Sequence, residues 1–181
     1  MRESNNIKFI ELDSNDLTTT LLKTFNRYQE TNQVLFKAND QYRFKADHFV
    51  DQWEDEKKAL VIQSLQNCVK SGGGVIGAFL EGRLVGFASV EGELFGSDNE
   101  YLELSYIHVS NEIRNSGLGK ELFGLCCSKA KQLGAKKLYI AAHPSEETQH
   151  FYSAVGCTFA MEINQEIYVK EPLDIQLEFT L

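Results

Sequence analysis

The sequence predicts a mixed α/β domain, and three observations predict it. Residues 102–143 run strand, glycine turn, helix, strand, a βαβ unit whose crossover demands parallel neighbours. A hairpin signal precedes that unit and two further strand-like runs follow it. A length of 181 residues, with 43% hydrophobic and 11% aromatic content, suits one domain over 1–181 with a sizeable core. The elements sum to a central mixed sheet of about seven strands flanked by about four helices.

The elements follow in order. IKFIEL, residues 7–12, reads as a first strand. A cap at Asp13 or Ser14 followed by apolar residues at helical spacing predicts a helix over residues 13–30. Residues 31–46 are polar and aromatic without a clear period, and residues 47–71 predict one long helix that ends at Gly72, Gly73 and Gly74. VIGAFLEGRLVGFASVEGEL is two strand-like runs broken by the hairpin signal Glu81-Gly82-Arg83, and LELSYIHVS, residues 102–110, is a longer third. The next helix carries Leu118, Leu122, Leu125, Cys126, Ala130 and Leu133 on one side and stops at Gly134. KKLYIAAH is a buried strand, EETQHFYSAV a helix ending at Gly156, and CTFAMEI and LDIQLEFTL two last strands.

Composition narrows the function. A net charge of −8 and a pI near 5.0 argue against a phosphate backbone as partner. No apolar run approaches the roughly 20 residues of a membrane span, and the N-terminal MRESNNIKF lacks a signal-peptide core, so the expected location is the cytoplasm. Cys68, Cys126, Cys127 and Cys157 show no metal-ligand spacing and read as reduced, packing thiols.

The stretch IRNSGLGKELF, residues 113–123, carries the chemistry. Gly117 and Gly119 lower helix propensity where a helix begins, a cost that an anion needing bare backbone would explain. A helix N-terminus offers unpaired N–H groups and positive potential, so the amides around Asn115, Ser116, Gly117, Leu118, Gly119 and Lys120 suit a pyrophosphate, with Arg114 and Lys120 adding cations. The glycine spacing is neither that of the nucleotide P-loop nor that of the dinucleotide fingerprint.

Arg114, Gly117 and Gly119, in the order R-x-x-G-x-G after a long strand, resemble the acetyl-CoA signature of the GNAT superfamily of N-acetyltransferases. HFYSAVGC, residues 150–157, is similar to the F-Y-x-x-x-G segment that closes that family's core. The resemblance covers residues 75–181 well and the first 70 loosely. It implies acetyl-CoA as acyl donor, no metal, and direct transfer to an amine in a ternary complex.

It also implies roles. Ile107, His108 and Val109 would line the pantetheine arm, and the Ile107 N–H would stabilise the oxyanion formed when an amine attacks the thioester. Glu103, four residues earlier, resembles the base glutamate of histone-acetylating members, with a water chain as the alternative. Tyr152 matches the general acid that protonates the leaving thiolate. Ser145 stands where many members carry an asparagine near the pantetheine.

His143 and His150 read as surface or sheet-end histidines. Trp53, Phe49, Tyr42, Phe36 and Tyr28 are candidates for an acceptor pocket, with Glu91 or Glu93 countering a positive charge, and the last strand is a candidate homodimer edge. Two other readings stand beside catalysis: an acyl-CoA-binding sensor of the same shape, and an unrelated nucleotide-binding α/β domain.

Overall fold

The computed structural model describes residues 6–181; the stretch read as lacking a signal-peptide core begins in residues 1–5, outside the described residues. A seven-stranded mixed sheet runs in the order β1-β4-β5-β6-β7-β9-β8, and a separate two-stranded ladder pairs β2 with β3. The strands of the main sheet are β1 (Lys8–Leu12), β4 (Gly74–Leu80), β5 (Arg83–Val90), β6 (Tyr101–Val109), β7 (Lys137–Ala142), β8 (Thr158–Phe159) and β9 (Ile175–Thr180). The ladder is β2 (Gln29–Ala38) with β3 (Gln41–Asp51). Four α-helices complete the fold: α1 (Asp55–Lys70), α2 (Leu118–Gln132), α3 (Glu146–Val155) and the short α4 (Gln165–Tyr168). Among the described residues no helix is long and apolar enough to cross a membrane.

Two apolar clusters sit on opposite faces of the sheet. Leu118, Leu122 and Phe123 of α2 and Tyr152 of α3 bury against Ile76, Val85, Ala88, Leu102 and Leu104. Val61, Ile62 and Leu65 of α1 bury against Leu12, Val75, Leu84 and Phe87. Strand side chains alternate between faces, so neighbours such as Val75 and Ile76 serve different clusters.

Among the described residues the only parallel pair, β6 with β7, lasts three residues: Tyr101↔Lys137, Leu102↔Leu138 and Glu103↔Tyr139. Beyond Glu103, β6 continues beside β5 as far as Val109↔Gly86, while β7 continues beside β9 as far as Ala142↔Ile175. A wedge therefore opens in the sheet at the carboxyl ends of two parallel strands, where ligands of open α/β sheets bind. The β2–β3 ladder leans on the far side of that wedge. Leu35 N–H donates to Pro144 O at 2.7 Å, and Val34 forms an isolated bridge with Ser145.

Four local expectations are corrected. Residues 13–28 form turns and irregular backbone, not a helix, and Gln29 and Glu30 already belong to β2: the Asp13 carboxylate accepts from Asn15 N–H at 2.7 Å and from Asp16 N–H, which diverts the backbone where the helix would start. Leu17, Leu22 and Phe25 bury from those turns all the same. Residues 47–51 belong to β3, and the long helix begins only at Asp55. The last short strand shrinks to β8, and α4 follows it without having been foreseen. The final strand β9 is not a free edge, since β8 pairs with its Leu177 and Glu178.

Candidate active site

One open cleft of about 1920 Å³ fills the wedge. Its shape follows from an irregularity in β6. Ser89 pairs with Tyr106 but Val90 pairs with Leu104, leaving Ser105 as an extra residue, a β-bulge. The bulge is tied down by hydroxyls: Ser105 Oγ lies 2.8 Å from Ser89 Oγ and donates to Glu91 Oε1 at 2.5 Å.

The bulge changes which residues share a face. Leu102 and Leu104 before it, and Ile107 and Val109 after it, pack on the α2 side. Glu103 lies between Leu102 and Leu104 and so points to the other face, where Tyr106 joins the α1 cluster and His108 stands 4.8 Å from the Trp53 ring. Ile107 and Val109 also turn backbone groups into the gap. Ser110 N–H donates to Val85 O at 2.8 Å, which makes 110↔85 a hydrogen-bonded pair. Pairs two residues apart bond alike, so in the register 109↔86 and 107↔88 the N–H and C=O of Val109 and Ile107 face away from β5.

The turn after β6 is built from positive φ angles, 62° at Asn115 and 92° at Gly117. A Cβ at Gly117 would meet nothing within 4 Å, so the glycine serves the backbone angle and leaves open space beside the helix start. Gly119 serves packing instead: a Cβ there would come within 3.1 Å of the Phe151 ring, holding α2 away from α3. Among the described residues the Gly117 and Gly119 amides take no backbone partner, while Lys120 and Glu121 N–H both bond to Gly117 O. Arg114 Nε donates to Val109 O at 3.2 Å, which bends its side chain back over the end of β6.

The structure brings most sequence-selected residues together. Glu103, Ile107, His108 and Val109 line the cleft along β6, and Arg114, Asn115, Gly117, Leu118, Gly119 and Lys120 line it at the turn. Tyr152 reaches the same wall from α3 with 5% of its surface exposed. Burial, then the thiols of Cys157 and Cys126 and the Asp174 carboxylate, raises its phenol well above the usual value, so it carries its proton at neutral pH. Burial and then the Glu91 carboxylate push Glu103 up to about 7 against the opposing pull of Lys170. Burial, with Arg27 and Arg114 next, holds His108 well below its ordinary value, so its ring is neutral.

Two selected residues are not on the wall. Ser145 caps α3: its Oγ accepts from Gln29 Nε2 at 3.1 Å and Thr148 N–H at 3.3 Å and lies 2.8 Å from Thr148 Oγ1. Helix capping has absorbed the hydroxyl expected near the pantetheine. Ser116 Oγ accepts from Leu118 N–H at 3.4 Å.

The histidines lie where the sequence places them, His143 directly after the end of β7 and His150 exposed on α3. His143 and His150 both line the cleft, with His143 Nε2 3.4 Å from Asp51 Oδ2. Of the aromatic candidates, Trp53 lines it, as do Glu91 and Glu93. Phe49 packs against His143, and Tyr42 stacks on Phe159 at 4.1 Å.

Sequence reasoning missed Arg27, Asp51, Glu171 and Asp174, all on the cleft wall. Arg27 and Asp51 fell in stretches read as helix. Glu171 and Asp174 carried no motif, although burial and then Glu171 push Asp174 up to about 7. The thiols stay apart from this chemistry: burial pushes Cys126 and Cys127 up, away from the reactive thiolate. Among the described residues no cluster of three metal-ligating side chains occurs.

The family model for the acetyltransferase (GNAT) family matches residues 35–157. The chain belongs to the GNAT family. The match begins inside β2 and ends just after α3, so it spans the wedge, the glycine turn and Tyr152. No curated protein matches the sequence.

Solved structures share the GNAT fold at low identity. Nourseothricin acetyltransferase superposes with a TM-score of 0.70 at 17% identity, covering 96% of this chain and 98% of its own. A candidate streptothricin acetyltransferase from Bacillus anthracis str. Ames, in complex with acetyl coenzyme A, gives 0.65 at 16% identity and 99% coverage of both chains. PaiA N-acetyltransferase from Thermoplasma acidophilum, in complex with coenzyme A, gives 0.58 at 15% identity, covering 97% of this chain and 99% of its own.

Proposed function

We propose that this GNAT protein is a cytoplasmic N-acetyltransferase that passes the acetyl group of acetyl-CoA directly to a primary amine, on a small molecule or a protein, in a ternary complex. The observation that carries the proposal is the wedge: β6 leaves β7 after Glu103, turns backbone groups of Ile107 and Val109 into the gap, and ends at a glycine turn that opens a helix. An extended pantetheine arm fits such a strand edge in sheet fashion, and its pyrophosphate fits the start of α2 beside Arg114 and Lys120. The neighbours crystallised with acetyl coenzyme A and coenzyme A support that cosubstrate.

The thioester then lies near Ile107, whose N–H would meet the developing oxyanion. Glu103, pushed up to about 7, is poised to take a proton from the incoming ammonium near neutral pH. Tyr152, kept protonated by burial, would give its proton to the departing thiolate. Each residue stands on a rigid element, the arrangement that keeps reacting groups in register. The acidic charge of the chain disfavours nucleic acid as acceptor.

The test is turnover. The protein with acetyl-CoA and a panel of primary amines is expected to release free thiol only when an amine is present, with one acetyl group appearing on the amine by mass spectrometry. Thiol release at the same rate without any amine would mean thioester hydrolysis and would sink the transfer.

A further inference from the structure

The Arg27 guanidinium is the most unusual polar group in the cleft. Only 8% of Arg27 is exposed, yet its Nε and Nη1 have no hydrogen-bond partner, and among the described residues no carboxylate lies within ion-pairing distance of it. Leaving charged donors buried and unpaired is costly, so such a group marks a place for an anion. It is also held in position. The guanidinium sits over the Trp53 ring, 5.4 Å from its centroid, a cation–π contact that leaves Nε and Nη1 without a partner. Its neighbour Asn26 is pinned to the end of β6, with Asn26 N–H donating to Ser110 Oγ at 3.0 Å and Asn111 N–H donating to Asn26 O at 2.9 Å.

Its face of the sheet identifies which ligand it serves. Arg27, Trp53 and His108 lie on the α1 side of β6, with Phe87 5.6 Å from His108. The glycine turn opens α2, and α2 packs on the opposite face with Leu118 and Leu122. The phosphates of acetyl-CoA belong at the turn beside Arg114, whose charge reaches Arg27, but the Arg27 guanidinium itself lies over Trp53 on the α1 face and is left for the other substrate. Glu103 points to this same α1 face, so an acceptor lying there meets a carboxylate along the strand from a cation. Asp51, the carboxylate whose charge acts most on Arg27, does not pair with it: its Oδ2 lies 3.4 Å from His143 Nε2 instead.

We propose that Arg27 binds a carboxylate of the acceptor, and that the acceptor is therefore an amine carrying its own carboxylate, of the amino-acid class. This deepens the transferase reading and rests on it. The carboxylate takes the edge of the guanidinium, while the amine points along β6 toward Ile107 and Glu103. Trp53 supplies the flat apolar wall beneath.

The test compares L-amino acids with their α-amides as acceptors, in the wild type and in Arg27→Gln and Arg27→Lys. Melting temperatures establish folding, and calorimetry gives the acetyl-CoA Kd of each protein. The wild type is expected to use the free acids with kcat/KM at least about tenfold above the amides, since a charge-assisted pair is lost with the carboxylate. Arg27→Gln is expected to bring that ratio near one through KM, with the acetyl-CoA Kd unchanged; Arg27→Lys, lacking the fork, should fall between. Equal use of acids and amides by the wild type would overturn the inference. So would an acetyl-CoA Kd that weakens in Arg27→Gln by as much as the acceptor KM, since Arg27 would then serve the coenzyme. A wild type that binds no acetyl-CoA would remove the transferase reading itself, and this inference with it.

Discussion

Replacing Tyr152 with phenylalanine is expected to lower kcat about a hundredfold or more, the usual contribution of a positioned acid, while the acetyl-CoA Kd stays where it was. The substitution removes one oxygen and keeps the ring. That ring packs among Phe123 and Phe151, 6.5 Å and 5.1 Å away between centroids, so the fold should be indifferent to the change. On the proposed mechanism the hydroxyl gives the leaving thiolate its proton, from a buried position on the cleft wall. Burial makes the phenol a weak acid in the resting protein, which guarantees its proton but makes it hard to give up. A thiolate forming beside it supplies the driving force. Single-turnover and steady-state rates in parallel check this prediction; full turnover in the variant would take Tyr152 out of the chemistry and leave it a core aromatic.

Glu103→Gln should remove a pH dependence as well as rate. A base acts when deprotonated, and Glu103 is pushed up to about 7. In the wild type kcat/KM should therefore rise as pH climbs through about 7 and level off above it. The glutamine variant keeps the shape, loses the base, and should fall by about 10²-fold with that rising limb abolished. Asp174 is also pushed up to about 7 and lines the same cleft, so Asp174→Asn is the matched control. Loss of the limb in the aspartate variant and its survival in the glutamate variant would move the base to Asp174.

The catalytic half of the molecule was legible in sequence because its signals are local. The turn over Glu81 and Gly82 shows positive φ at both residues, as its hairpin signal required, and Gly134 and Gly156 lie just past the ends of their helices with φ of 92° and 99°. The N-terminal half hid for a different reason. In β3 residues 41–47 do alternate polar and apolar, but almost every side chain is exposed and the alternation fades after Asp47, so the pattern marks no face turned to the core. Its turn did carry a signal: Asn39 and Asp40, with φ of 49° and 60°, suit a two-residue hairpin loop.

The bulge at Ser105 is the deeper case. It exchanges the faces of β6, sending Glu103 and His108 to the α1 side and Ile107 to the α2 side, and nothing in LELSYIHVS shows where the alternation slips. Arg27 was invisible for a further reason, since its significance lies in partners it does not have.

On the proposed function, the wedge between β6 and β7 holds acetyl-CoA with its pyrophosphate at the Gly117 turn. Calorimetric titration of the wild type and of Gly117→Trp with acetyl-CoA tests it most directly. The tryptophan would have to adopt a left-handed backbone angle, and its indole would fill the open space beside the helix start. Melting curves will show whether the variant remains folded. The account predicts saturable binding of one acetyl-CoA per wild-type chain and its loss in a folded variant; a folded wild type that binds none, or a variant that binds as tightly, would contradict it.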